Sequence, residues 1–555
     1  MSTKNETKRA DFLKQGGILA MASLIVRFIG MIYRIPMNNI LGAKGMGIYG
    51  IAFDIYDIVL IISSYSLPLA LSKIVSGLQA KREFKNVGRA FRVALGFAIV
   101  SGGLFCLVLL FGAGLIEKHI YPEYVGIQIP LRVLAPTILI VALLGVFRGF
   151  FQGKRTMVPT AFSQVIEQIV NAIVSVLASY YFMKWNAESL HQAAWGAAGG
   201  TLGTCLGAAS ALLVVLFVYW IYRPVQSKLE SRDLSNSVVS YSYLFRILLI
   251  TILPVILSQT VYNITGLIDY KLFGSFSGQK GLDTNLISSL VGVYSGQYRL
   301  LCSVPIAIST AVASSMIPSA VGAYARSDVA QWKKNVASGI KFNMIVAIPC
   351  AAGFSLLGFS ITRMLFKTTE YVQGVPSYIF GGRLLTVGSA AVIFYALSNV
   401  TSGALQSIDK MRIPVIHSVI SLGIHILLVF LLLKYTNIGI YAIIAGNVTF
   451  PIVVSLLNFM AIKRYVPGYH QEWVKTFLVP LAASVWMGVS IVLVYWLVGC
   501  IVKISIIQTL FSLVVAVFVY FVTFLLFKGL TVQELYDFPM GRTLYTIAKK
   551  LHVME

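Results

Sequence analysis

The stretch "RGFFQGKRTMVPTAFS" at residues 148–163 returns as "SGALQSIDKMRIPVIHS" at residues 402–418 once one residue is inserted. Working outward, an offset of 245 lays Gly47-Ile48-Tyr49 on Gly292-Val293-Tyr294. At the same offset Gly77–Glu83 falls on Gly322–Asp328 without a gap. Glycine and alanine matches come cheaply between apolar helices, but these echoes are collinear and the basic loop returns with them. The spacing predicts a repeat of six helices. Six is even, so both copies share one orientation, related by a pseudo-twofold axis along the membrane normal with a central cavity between two lobes.

Composition supports a membrane setting. The chain has 555 residues, 57% hydrophobic and only 12% charged, with a mean hydropathy of +0.82. Soluble domains carry about a quarter charged residues. The net charge of +24 has no clustered basic face or reading motif behind it, so no nucleic-acid partner is expected. Basic cytoplasmic loops account for it. Cys106, Cys205, Cys302, Cys350 and Cys500 lie alone in apolar runs and read as small buried hydrophobes, not as metal ligands. No cleavable signal is apparent, and the first helix is expected to be retained.

A crossing needs about 20 apolar residues. On that rule fourteen spans are expected, at roughly 17–41, 46–76, 88–116, 131–152, 158–183, 193–222, 243–272, 285–322, 337–362, 383–408, 413–433, 437–462, 476–500 and 504–527. The expected fold is therefore an all-α polytopic membrane protein with two six-helix lobes and two further C-terminal helices. Its domains would be a cytoplasmic N-terminal tail (1–16), an N-lobe (17–222), a cytoplasmic linker (223–242), a C-lobe (243–462), the last two helices (463–527) and a cytoplasmic C-terminal tail (528–555). Lys and Arg concentrate in the loops that would face inward, which puts both termini in the cytoplasm.

Charges inside spans are the candidates for function. A charge at the bilayer centre costs about 2.5–3.5 kcal/mol on the lenient insertion scale, so it should face a wet cavity, a partner or a substrate. Arg27 and Arg34 lie two turns apart in the first span, and Arg299 lies mid-span in the eighth. The repeat places Asp54 opposite Arg299, with Asp57 one turn further on. Ion pairs between these acids and arginines are one reading. The other is that three arginines outweigh two acids and leave a positive cavity. Guanidinium binds phosphate oxygens in bidentate fashion, so such a cavity would prefer a phosphate or diphosphate. Gln164, Glu167, Gln168 and Asn171 form one polar stripe on the fifth span. Glu167 is level with Arg148 across the 153–157 turn and should pair with it, a substrate or proton role remaining the alternative. Asp269 stands near the outer end of the seventh span, as an interfacial residue or an ion ligand.

These features resemble the multidrug/oligosaccharidyl-lipid/polysaccharide (MOP) exporter superfamily, and within it the lipid II flippase and stage V sporulation protein B-like group. The resembling segments are "LGAKGMGIYGIAFDIY" (41–56), "RGFFQGKRTMVPTAFSQVIEQI" (148–169), "GQYRLLCSVPIAISTAVASSMIP" (296–318) and "SGALQSIDKMRIPV" (402–415). The resemblance implies movement of a polyprenyl-diphosphate-linked cell-wall precursor, chiefly lipid II, to the outer leaflet of the bacterial plasma membrane by alternating access. It implies that Arg27, Arg34 and Arg299 hold the diphosphate, that Asp54 is a functional acid, and that the last two helices form a groove for the lipid tail. Some members of the group bind a cation through spans 7, 11 and 12. Here span 11 offers His417, Ser418, Ser421 and His425 but no Asp or Asn, leaving Asp269 and Asn447 as the candidate ion site.

No nucleotide-binding loop is present, so no cofactor is expected; Na+, H+ or the membrane potential would supply the energy. The partners implied are the lipid-linked diphosphate oligosaccharide, membrane lipids and cell-wall synthesis proteins, with the protein acting as a monomer. Two related readings stand beside this one: export of another lipid-linked polysaccharide unit, and ion-coupled drug antiport, which predicts a cavity dominated by acids. A membrane enzyme would need a sizeable loop with catalytic acids, and the longest inter-span stretch, about 223–242, holds no nucleophile–base pair.

Overall fold

The computed structural model describes residues 2–233, 238–367, 370–536, 545–546 and 549–550. Parts of the expected linker (234–237) and of the expected C-terminal tail (537–544, 547–548, 551–555) lie outside the described residues. Nearly everything described is helical: α1 (Ser2–Ser63), α2 (Leu67–Ala80), α3 (Phe84–Leu115), α4 (Gln128–Gly153), α5 (Val158–Trp185), α6 (Gln192–Ser231), α7 (Tyr241–Gln279), α8 (Thr284–Val293) and α9 (Leu300–Ala325). There follow α10 (Val329–Leu365), α11 (Ser377–Gly388), α12 (Ala390–Ser407), α13 (Arg412–Tyr435), α14 (Tyr441–Tyr465), α15 (Val479–Ile501), α16 (Ser505–Leu526) and α17 (Val532–Tyr536). One two-residue hairpin, Tyr371–Val372 against Val375–Pro376, caps the turn before α11. Helices dominate because lipid cannot satisfy backbone N–H and C=O groups, so each segment must bond within itself.

Among the described residues twelve helices are long and apolar enough to cross a membrane, and the pair α11 and α12, bent by 50°, makes a thirteenth. The expected count of fourteen differs by one because its first two spans fall in a single element, Met21–Ala80. Sixty residues of helix run about 90 Å, against about 30 Å of hydrocarbon. That element is broken at Gly42, whose φ of 66° and ψ of −177° lie outside the helical region. Such a φ costs glycine nothing and other residues a good deal. The polar stretch expected as a tail at 1–16 is helical from Ser2. Its Lys, Glu, Arg, Ala and Leu residues favour a helix in water as well as in lipid.

The chain divides into two compact units, Met1–Gly292 and Val293–Glu555. In the first, α1 packs on α5 and α6, α5 on α6, α4 on α3 and α6, and α7 on α1 and α3. Its core holds an aromatic cluster in which Phe91, Phe147, Phe150 and Tyr219 meet with centroids 5.1–5.6 Å apart. In the second, α12 packs on α9 and α14, α13 on α14, and α10 on α9, α11 and α15. Glu534 of α17 pairs at 2.8 Å with Lys341 of α10, whose side chain is only 5% exposed. Thr531 and Glu534 cap α17 reciprocally, the Thr531 N–H donating to the carboxylate and the Glu534 N–H to the hydroxyl.

One contact in the first unit follows the internal repeat. The offset of 245 maps Ala43 on Ser288 and Gly47 on Gly292. A Cβ on Gly47 would lie 1.9 Å from the Ser288 carbonyl oxygen, and one on Gly292 would lie 1.7 Å from the Ala43 oxygen. The two close approaches are therefore reciprocal under the offset. Only glycine at both places allows the two backbones this close.

Candidate functional site

Lipid offers an arginine no hydrogen bonds, so a guanidinium within a membrane helix is understood through what it faces. Arg27 and Arg34 project from α1. Arg27 is exposed, and Arg34 is half-buried with its guanidinium 5.5 Å from the Phe53 ring centroid, within cation–π range. Phe53 is itself stacked on Tyr49, with centroids 5.7 Å apart and planes 25° from parallel.

Asp54 follows Phe53 on the same helix and accepts a hydrogen bond from the Tyr270 hydroxyl at 3.0 Å. Tyr270 is fully buried on α7, and its carbonyl accepts from the Tyr124 hydroxyl at 2.7 Å. A tyrosine hydroxyl on α7 is thus one of the groups that hold Asp54. Asp269 precedes Tyr270 and is buried, 1% exposed. Beside them Glu123 accepts from Ser275 at 3.0 Å and lies 3.6 Å from the Lys271 ammonium. Asp57 and Arg27 both act electrostatically on Tyr65, in the turn between α1 and α2, while Asp57 and Glu167 both act on the buried Tyr56.

Arg148 and Glu167 are ion-paired at 2.7 Å, and Arg148 Nε donates to Ser163 Oγ at 3.0 Å. The short α4–α5 turn brings the two helices level. Two further residues of the polar stripe on α5 meet α1: Gln168 abuts Gly30, and Asn171 Nδ2 donates to the Tyr33 hydroxyl at 3.5 Å.

Arg299 belongs to the second unit. It is exposed and ends a π-helical turn, Tyr294–Arg299. Such turns add a residue to the helical cycle and frequently mark functional sites. Asn447 Nδ2 donates to the Tyr294 hydroxyl at 2.7 Å, which ties Asn447 of α14 to the turn that carries Arg299. Tyr294 stacks on Tyr298 at 5.6 Å and 28°. By the offset of 245 this pair is the counterpart of Tyr49 on Phe53. Asp269 and Asn447 fall in different compact units.

Tyr270, Tyr56, Tyr65 and the π-turn were not singled out from the sequence. The chain has 28 tyrosines, so none stands out by type. Among the described residues no three His, Cys, Asp or Glu side chains come together as a metal site.

The family model described as polysaccharide biosynthesis protein matches residues 12–321, more than half of the chain. The chain is 25% identical to the lipid II flippase MurJ of Bacillus subtilis over 499 residues, covering 87% of this chain and 88% of that protein. It is 22% identical to stage V sporulation protein B of the same organism over 459 residues, covering 83% and 85%. Among solved structures, lipid II flippase MurJ in an inward closed conformation superposes with a TM-score of 0.65 at 16% identity, covering 91% of this chain and 97% of that one. With its many membrane-spanning helices, the chain belongs to the polysaccharide biosynthesis protein family, in the MurJ- and SpoVB-like part of the MOP exporter superfamily, and is a transporter-type multi-pass membrane protein rather than an enzyme.

Proposed function

We propose that this protein is a flippase that carries a polyprenyl-diphosphate-linked cell-wall precursor, lipid II first among the candidates, from the inner to the outer leaflet of the bacterial plasma membrane. The observation that carries this reading is Arg27, exposed in an apolar helix with Arg34 held two turns away over Phe53. Guanidinium forks suit diphosphate oxygens. In this reading Arg27, Arg34 and Arg299 bind the diphosphate by turns during alternating access, with the glycan solvated and the polyprenyl chain left in lipid along α15 and α16. Asp54 and Asp57 release the headgroup by competing for the arginines. Arg148 and Glu167 act on each other and hold α4 to α5.

Both termini would be cytoplasmic. A substrate with two negative charges leaving the cytoplasm gains about 2.3 kcal/mol per charge per 100 mV of membrane potential, so no nucleotide is needed. Asp269 in the first unit and Asn447 in the second belong to the same proposal as separate candidate Na+ ligands for an alternative coupling route. Export of another lipid-linked polysaccharide unit is the second reading, favoured by the likeness to stage V sporulation protein B.

The test is leaflet-resolved accessibility of labelled lipid II in cells depleted of the protein and complemented with Arg27→Ala or Arg299→Ala. Loss of outer-leaflet precursor with normal membrane levels of the variants is expected. Full complementation by either variant overturns the diphosphate role.

A further inference from the structure

The repeat pairs Arg148 with Ser402 and, after the inserted residue, Phe162 with His417. The first copy holds an ion pair there; the second holds a neutral network around Asn458, which is fully buried on α14. Asn458 Nδ2 lies 3.2 Å from Thr401 Oγ1 and 3.0 Å from Ser402 Oγ, and its Oδ1 lies 2.7 Å from His417 Nδ1. The Thr401 hydroxyl gives its own proton to the Leu397 carbonyl at 2.7 Å, so toward Asn458 it can only accept. That fixes the amide: Nδ2 faces the hydroxyls and Oδ1 faces the imidazole. An amide oxygen only accepts, so His417 Nδ1 must carry a hydrogen.

With Nδ1–H committed, Nε2 is the acceptor nitrogen of a half-buried ring and has no hydrogen-bond partner among the described residues. We propose that His417 is a proton-binding site inside the second unit: Nε2 takes a proton from water, Nδ1–H stays on Asn458, and α13 gains one positive charge five residues from its start. Imidazole is the side chain whose ordinary titration falls between pH 5 and 8. The charged and titratable groups on the surrounding elements are Arg412, His425, Lys434 and Tyr435 on α13, Tyr441, Lys463, Arg464 and Tyr465 on α14, Tyr395 on α12, and Asp409 and Lys410 on the turn between α12 and α13. None of them bonds the imidazole. The only acid among them, Asp409, is outnumbered by five cations, so proton uptake adds charge to elements that are already basic. As a coupling site this rests on the flippase reading; as a proton site it does not.

Histidine-15N NMR of the full-length protein in nanodiscs from pH 5 to 8, with His417→Gln assigning the signal, tests the site whatever the protein transports. Expected is the Nδ1–H tautomer at pH 8 and protonation of Nε2 within the window. Asn458→Asp, which puts a carboxylate on Nδ1–H, should move the midpoint upward by about one to three pH units. A signal that does not titrate, or an Nε2–H tautomer at pH 8, overturns the proposal. In proteoliposomes, the rate of flipping a labelled polyprenyl diphosphate should vary with pH over the same window in wild type and lose that variation in His417→Gln. A variant that keeps the wild-type profile overturns the coupling role, whereas absence of flipping at every pH with an intact NMR titration counts against the flippase reading alone.

Discussion

Gly292→Ala is the most direct test of the reciprocal contact between α1 and α8. The added methyl would sit 1.7 Å from the Ala43 carbonyl oxygen, against the 3.4 Å at which ordinary contact begins. The neighbour is backbone and cannot rotate away, so the helices must part by about 1.7 Å or bend. Overpacking of this kind typically costs about 1–3 kcal/mol. Gly47→Ala meets the Ser288 oxygen at 1.9 Å and should cost as much. Because both clashes are relieved by one movement, the double variant should lose clearly less than the sum of the singles, a coupling of about 1 kcal/mol or more. Gly96→Ala is the control: nothing lies within 4 Å of its Cβ position, and alanine in a helix should be neutral or slightly stabilising. Thermal unfolding of the purified variants in one detergent provides the readout. Gly292→Ala melting with the control, or strict additivity of the pair, would refute the close approach.

Other substitutions probe the remaining polar contacts. Glu167→Gln removes the charge opposite Arg148 but keeps a hydrogen-bond acceptor, so complementation should survive with reduced stability; a null phenotype would assign Glu167 to the transport step. Lys341→Met leaves Glu534 without its cation and should cost about 1–3 kcal/mol, short of the 3–5 of a fully buried pair because the Glu534 side chain is 27% exposed; limited proteolysis after α16 reports it. Burial works to raise the Glu534 pKa, but hydrogen bonds from Lys341 and Thr531 outweigh it and hold the carboxyl below its ordinary 4.5. The docking of α17 should therefore be intact above pH 4.5 and lost as pH falls below it. Lys154, in the α4–α5 turn, is pushed down to about 8 by burial, with Glu230 opposing. Its charge should cost stability in full below pH 8, and wild type should gain on Lys154→Gln as pH rises from 8 toward 10.5.

The spans were legible because lipid leaves a helix no choice: each must show about 20 apolar residues. The breaks were not. Gly42 is one glycine among 46, and nothing local announces that this one turns to positive φ. The bend between Gly388 and Ala390 lies inside an apolar run, where hydropathy has no contrast to offer, and the polar residues of the π-turn at Tyr294–Arg299 mark a charge but not the extra residue in the helical cycle. In the site, the Arg148–Glu167 pair could be read from two helices joined by a short turn, which sets their heights. The Tyr270 hydroxyl on Asp54 joins residues 216 positions apart, and no periodicity carries that distance.

The matched stacks, Tyr49 on Phe53 and Tyr294 on Tyr298, bear on ancestry. The aromatic scaffold is alike in both copies, while the next residue is Asp54 in one and Arg299 in the other. Two identical half-length chains would be bound by their shared gene to present twin acids or twin bases. A single chain that carries both copies is free of that constraint, so corresponding places can hold opposite charges.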